Sequence, residues 1–173
     1  SLGYLTESLA IAREIDDRGR VSAVLEALAM ASLGCGDVEA ARGYLEEAIA
    51  TTRELGNKRG LAAALNGLAQ LHRVQGALDA AEPLYLDALA LARELGDREI
   101  IGVVLLNLAM VSIGRGARER VPEMLLEVLA IAEENGSKPA GQGALEVSAG
   151  LAAAAGEWGQ AARMFGAADA HML

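Results

Sequence analysis

Apolar residues recur at intervals of three and four along almost the whole chain. Between residues 61 and 71 they stand at Leu61, Ala64, Leu65, Leu68, Ala69 and Leu71, and the spacing returns at Leu84, Ala88, Leu91, Ala92 and Leu95. Such intervals lay side chains along one stripe of an α-helix. Glycine divides the stripes at a fixed distance. Gly36, Gly76, Gly116 and Gly156 lie forty residues apart, and Gly56, Gly96 and Gly136 fall midway between them. A glycine just past an apolar-periodic segment ends a helix, because it takes positive φ without a Cβ clash. Two interleaved series of stops therefore mean two helices per forty-residue repeat.

The pattern predicts first helices near 20–34, 60–75, 100–114 and 140–155, and second helices near 37–55, 77–95, 117–135 and 157–172. A further second-type helix near 3–15 opens the chain, giving about nine in all. The expected fold is all-α, a right-handed superhelix of antiparallel helix pairs. One domain over 1–173 would hold a half repeat at 1–17 and repeats at 18–57, 58–97, 98–137 and 138–173. Pro139 falls where a helix begins and loses nothing by lacking an N–H. Pro83 and Pro122 fall about one turn inside their helices, where they should loosen the start.

Polar residues repeat at the same period. Asp17, Asn57, Asp97 and Ser137 precede the first helices and are candidate N-caps. Each lies between an acid and a base four residues apart: Glu14 and Arg18, Glu54 and Lys58, Glu94 and Arg98, Glu134 and Lys138. Recurrence at one register implies a structural cause, so loose pairs across the interhelix turn are expected, each worth roughly 0.3–0.5 kcal/mol when exposed.

Within each repeat the residues resemble the tetratricopeptide repeat, whose pattern is a large residue, Leu, a small residue and Tyr on one helix, then Ala and an aromatic on the next. Leu65, Leu68, Ala69, His72, Ala81 and Tyr85 stand at that spacing. So do Leu25, Leu28, Ala29, Ser32, Ala41 and Leu45 one period earlier, and Leu105, Leu108, Ala109, Ser112, Val121 and Leu125 one period later. The last repeat supplies Leu145, Ser148, Ala149, Ala152, Ala161 and Phe165. Small residues at Ala29, Ala69, Ala109 and Ala149 would let paired helices approach. The period exceeds the family's thirty-four residues, and the closing proline is absent. Lengthened repeats of this kind are similar to those of kinesin light chains and of large bacterial signal-transduction ATPases and transcription regulators. The stretch from Ala161 to Ala168 resembles the end of the helical region in those regulators.

Composition narrows the picture. Aromatics are only 3% of the 173 residues, so the core must rest on closely packed Ala and Leu. A net charge of −9 argues against a binder of phosphate backbones, and no direct nucleic acid contact is expected. Thirteen of the fifteen basic residues are arginine, spread along the chain; the tightest group, Arg115, Arg118 and Arg120, reads as a solvated turn. Cys35 is the single cysteine, which excludes an intrachain disulfide and suits a reducing, cytoplasmic setting. No apolar run reaches membrane-spanning length, and residues 1–20 lack the features of a signal peptide.

Catalytic chemistry finds little support, and no enzyme, cofactor or metal is expected. The adjacent carboxylates Asp16–Asp17, Glu46–Glu47 and Glu133–Glu134 diverge on a helix and suit a solvated face. His72 and His171 lack companions at ligand spacing. His72 stands at the family's Tyr position and reads as a packing residue. Cys35 reads as an inert or mildly exposed thiol, and Gly34-x-Gly36 and Gly114-x-Gly116 lack the strand that a phosphate loop requires. Trp158 is expected to cover the last helix pair.

The resemblance implies a concave groove lined by the first helices. That face maps to Glu26, Met30, Leu33, Asn66, Gln70, Arg73, Leu106, Met110, Ile113 and Glu146. Met30, Leu33, Leu106, Met110 and Ile113 are more apolar than a solvated wall needs, and Asn66, Gln70 and Arg73 could fix a peptide backbone or carboxylate. Contacts to neighbouring helices would account for the same apolar residues. The implied function is a protein or peptide interaction scaffold, cut from a longer bacterial regulator. A small-molecule inducer sensor is the alternative, and a homodimer through the uncapped terminal helices would also suit the sequence.

Overall fold

The computed structural model describes residues 2–170, with side chains as far as Ala168. The chain forms two compact units, Ser1–Gly96 and Asp97–Leu173. The first holds α1 (Leu2–Glu14), α2 (Arg18–Gly34), α3 (Val38–Glu54), α4 (Lys58–Val74) and α5 (Leu78–Leu95). The second holds α6 (Arg98–Gly114), α7 (Val121–Asn135), α8 (Lys138–Ala154) and α9 (Trp158–Ala170). Within each unit consecutive helices pack against one another, and α2 meets α4 as α6 meets α8. Among the described residues there is no strand, as the periodicity predicts. His171 and the end of the predicted helix 157–172 lie outside the described residues.

The helices begin and stop where the small polar and glycine signals stand. Asp17, Asn57, Asp97 and Ser137 each accept a hydrogen bond from a backbone N–H three residues on, at 2.9, 3.0, 3.1 and 3.4 Å. Asp37, which the sequence reading passed over, caps α3 in the same way at 3.0 Å. These bonds satisfy N–H groups that a helix start leaves open. At the other ends, Gly96 and Gly136 hold the left-handed conformation at φ 66° and 62°. The corresponding position forty residues before Gly56 is Asp16, which adopts φ 55° without being glycine.

Packing follows the small-residue rule. Ala29, Ala69, Ala109 and Ala149 are all 0% exposed. In the first unit Gly67 of α4 sits so close to α3 that a Cβ there would come within 2.7 Å of a Leu45 methyl. Leu45, Ala29, Ala41 and Leu71 form a buried cluster with Leu33, Val38, Tyr44 and Leu68 packed around it. Thr52 is fully buried, and its hydroxyl donates to the Ala48 carbonyl at 2.8 Å, so it adds no unsatisfied polar group.

Three expectations need correction. The recurrent charges pair with different partners: Arg18 with Glu54, Lys58 with Glu94 and Arg98 with Glu134. Antiparallel packing sets the start of the first helix beside the end of the second, so each pair closes the open end of its own hairpin. Pro122 is not one turn into its helix. It occupies the first turn of α7, which starts at Val121 rather than near 117; its ring would strike the Arg118 carbonyl if the helix ran further back. Arg118 is not solvated either. It is half-buried and donates to the Ala154 carbonyl, at the end of α8, at 2.8 Å.

Candidate functional site

The ten residues expected on one face divide between the units, six in the first and four in the second. In the first, α2 carries Glu26, Met30 and Leu33 while α4 carries Asn66, Gln70 and Arg73. Met30 is exposed, and the other five are half-buried. Leu33 packs on the core cluster and contributes to the hairpin itself.

Partial burial alters the chemistry of this patch. Removal from water pushes the Glu26 carboxyl up to about 7, with Arg59 partly offsetting the effect. Nearby, the Arg73 Nε and the hydroxyl of Tyr85 are both buried. Burial pushes the Tyr85 hydroxyl up, and the neighbouring Arg73 pulls it back. Arg73 thus sets a half-buried charge near the Tyr85 hydroxyl. His72 is half-buried, as a packing residue would be; burial and then the cation of Arg42 hold its imidazole below the usual range.

The second unit gathers its four residues. Leu106, Met110 and Ile113 of α6 and Glu146 of α8 line one cavity of about 320 Å³, completed by Gly143, Val147 and Gly150. The three apolar side chains are half-buried, and Glu146 is exposed. Gln142 donates to a Glu146 carboxylate oxygen at 3.0 Å. A larger cavity of about 550 Å³ opens nearby, where Glu99, Val103, Leu106, Ile131, Asn135 and Ser137 meet.

Several features escaped the sequence reading. The cavity beside Met110 depends on Gly150, which stands at the register of Met30, Gln70 and Met110; that comparison of repeats was the available signal. Trp158 does not cover the last helix pair, because it is 70% exposed. It stands at the first position of α9. Among the described residues no group of three His, Cys, Asp or Glu side chains could hold a metal ion. Cys35 is exposed, and among the described residues no helix is long and apolar enough to cross a membrane.

Models of the tetratricopeptide repeat match residues 21–55 and 60–134. The chain belongs to the tetratricopeptide repeat family. No curated protein matches it. Solved structures of similar fold include the kinesin light chain nearly identical TPR-like repeats of Podosopora anserina, 19% identical, with a TM-score of 0.68 over 99% of this chain and 85% of that one. Another is BtubC (BKLC) from P. vanneervenii, 20% identical, with a TM-score of 0.64 over 99% of this chain and 89% of that one. The likeness to these structures is one of fold. At this level the chain is a protein-interaction scaffold, of a fold type that is not catalytic.

Proposed function

We propose that this chain is the partner-binding region of a larger bacterial regulatory protein, and that it recognises a protein or peptide through the faces of its first-type helices. The observation that carries the reading is the cavity formed by Leu106, Met110 and Ile113 with Glu146 at its edge. Apolar side chains in that position cost solubility unless something covers them part of the time. In the first unit, Asn66, Gln70 and Arg73 form a separate polar patch suited to an anionic or backbone group. The regulatory context is supported by the resemblance of the stretch from Ala161 to Ala168, and the cytoplasmic setting by the single cysteine.

Purified protein retained by native mass spectrometry with a stoichiometric polypeptide would be the expected result. Met110→Asp should release a partner held by the second unit, and Arg73→Glu an anionic one held by the first. If both variants fold and keep the partner at unchanged affinity, the faces named are wrong.

A second reading is an inducer sensor. It is favoured by the cavity of about 550 Å³, whose Glu99, Asn135 and Ser137 could orient a small molecule against Val103 and Ile131. A retained species of metabolite mass would decide for it.

A further inference from the structure

We infer that the cavity between α6 and α8 is a socket for a single apolar side chain of a partner polypeptide, and that Glu146 selects partners carrying Lys or Arg beside that side chain. The inference rests on the interaction reading above and specifies its ligand.

One residue keeps the cavity open at its Met110 end. Gly150 occupies the register held by Met30, Gln70 and Met110 in the other repeats. Its backbone is ordinary helix and does not require glycine. A Cβ built at Gly150 meets no atom within 4 Å, so helix packing does not require it either. Gly143, two turns earlier, is different: a Cβ there would stand 3.0 Å from a Leu106 methyl, so its absence lets α6 and α8 approach. Gly34 and Gly43 also face open space, but both are exposed on the surface. Gly150 is half-buried and lines the cavity, so what its missing side chain leaves is a hole bounded by Met110, Ile113 and Val147.

Size and charge define the occupant. At about 320 Å³ the cavity lies at the small end of ligand sites, which run from roughly 300 to 1,000 Å³. Its wall offers one charged group and otherwise apolar side chains and glycine, whereas a metabolite site needs several convergent polar groups. Glu146 is exposed at the rim and pairs with no cation among the described residues. A cationic side chain next to the apolar anchor would meet it, and the net charge of −9 would draw such a segment in.

The test is a phage library of random dodecapeptides panned on the full chain, with binders measured against wild type, Gly150→Met and Glu146→Lys. Gly150→Met should fill the hole, fold with an unchanged circular dichroism spectrum, melt no lower than wild type, and weaken selected peptides at least tenfold. Glu146→Lys, on an exposed site, should fold normally and weaken them by a similar factor. Enriched peptides should carry Leu, Met or Phe beside Lys or Arg. Binders indifferent to Gly150→Met would overturn the socket and leave the interaction reading standing. Enrichment of acidic flanks would overturn the role of Glu146. Failure to enrich any peptide would overturn both socket and interaction reading. If Gly150→Met misfolds, Gly150→Val puts less bulk into the same hole, and undiminished binding by that folded variant would also overturn the proposal.

Discussion

Leu45 on α3 and Phe165 on α9 hold the same place in the forty-residue register, yet Leu45 is 2% exposed and Phe165 50%. Ile49 and Leu89, in the first unit, are 7% and 8% exposed, while Leu129, their counterpart in the second, is 39% exposed. The register fixes where a side chain points; the bulk of what faces it decides whether it is covered. Gly67 shows small size used to close a gap, since α4 presses directly on Leu45 there. In the second unit small residues leave gaps open. Leu129 lines cavities of about 410 and 440 Å³, against Gly136 and Gly141 on one side and Ala152 and Ala155 on the other. Small residues thus tighten the first unit at Gly67, and in the second they both let α6 approach α8 at Gly143 and leave gaps beside Leu129.

The sharpest way to break this comparison is to truncate both members of the register pair. Leu45→Ala should cost about 2–5 kcal/mol, as buried Leu does, and Phe165→Ala well under half of that. Equal losses in urea melts would show that Phe165 is as integral to its hairpin as Leu45. Next in size, Ala69→Leu should overpack α4 by roughly 1–3 kcal/mol while the exposed Arg53→Ala changes little; matching melting shifts would mean the repeat register is misplaced. Gly150→Ala should run the other way and stabilise by roughly 0.5–1 kcal/mol, because the Cβ meets open space and helix propensity rises. Loss of stability there would show hidden strain in α8.

The smallest effect is one of pH. The folded carboxyl of Glu26, at about 7, lies above its ordinary value of 4.5, so the folded state binds the extra proton between those two limits. Its contribution to stability is fully present below 4.5 and is lost as pH rises through about 7. Glu26→Gln should flatten the stability profile over that window. An unchanged slope would place Glu26 in water.

Much of this architecture was legible in advance. The glycine series marked the helix ends, and four N-caps were read from Asp17, Asn57, Asp97 and Ser137, because both signals act within a few residues of chain. The charge pairs were misassigned for the opposite reason. Glu54 and Lys58 are near in sequence, but Lys58 meets Glu94 through the geometry of a closed hairpin, which spacing alone does not reveal. The ten-residue face was readable as helical positions, but not how it divides between the units or the hole that Gly150 leaves, since a cavity depends on the sizes of several facing residues at once. Trp158 was misjudged because a large aromatic ordinarily buries itself, and here it stands exposed at the first position of α9.

The ion pairs that close three of the hairpins span 36 residues, and within each unit helices touch neighbours no more than two places along the chain. No contact of this kind waits on a distant segment to arrive. Chains built from such short-range closures fold quickly, because little loop entropy is lost before each contact forms. Under tension the same locality works in reverse. Stretched from its ends in an optical trap, the molecule should lengthen in discrete steps, each the release of one helix pair.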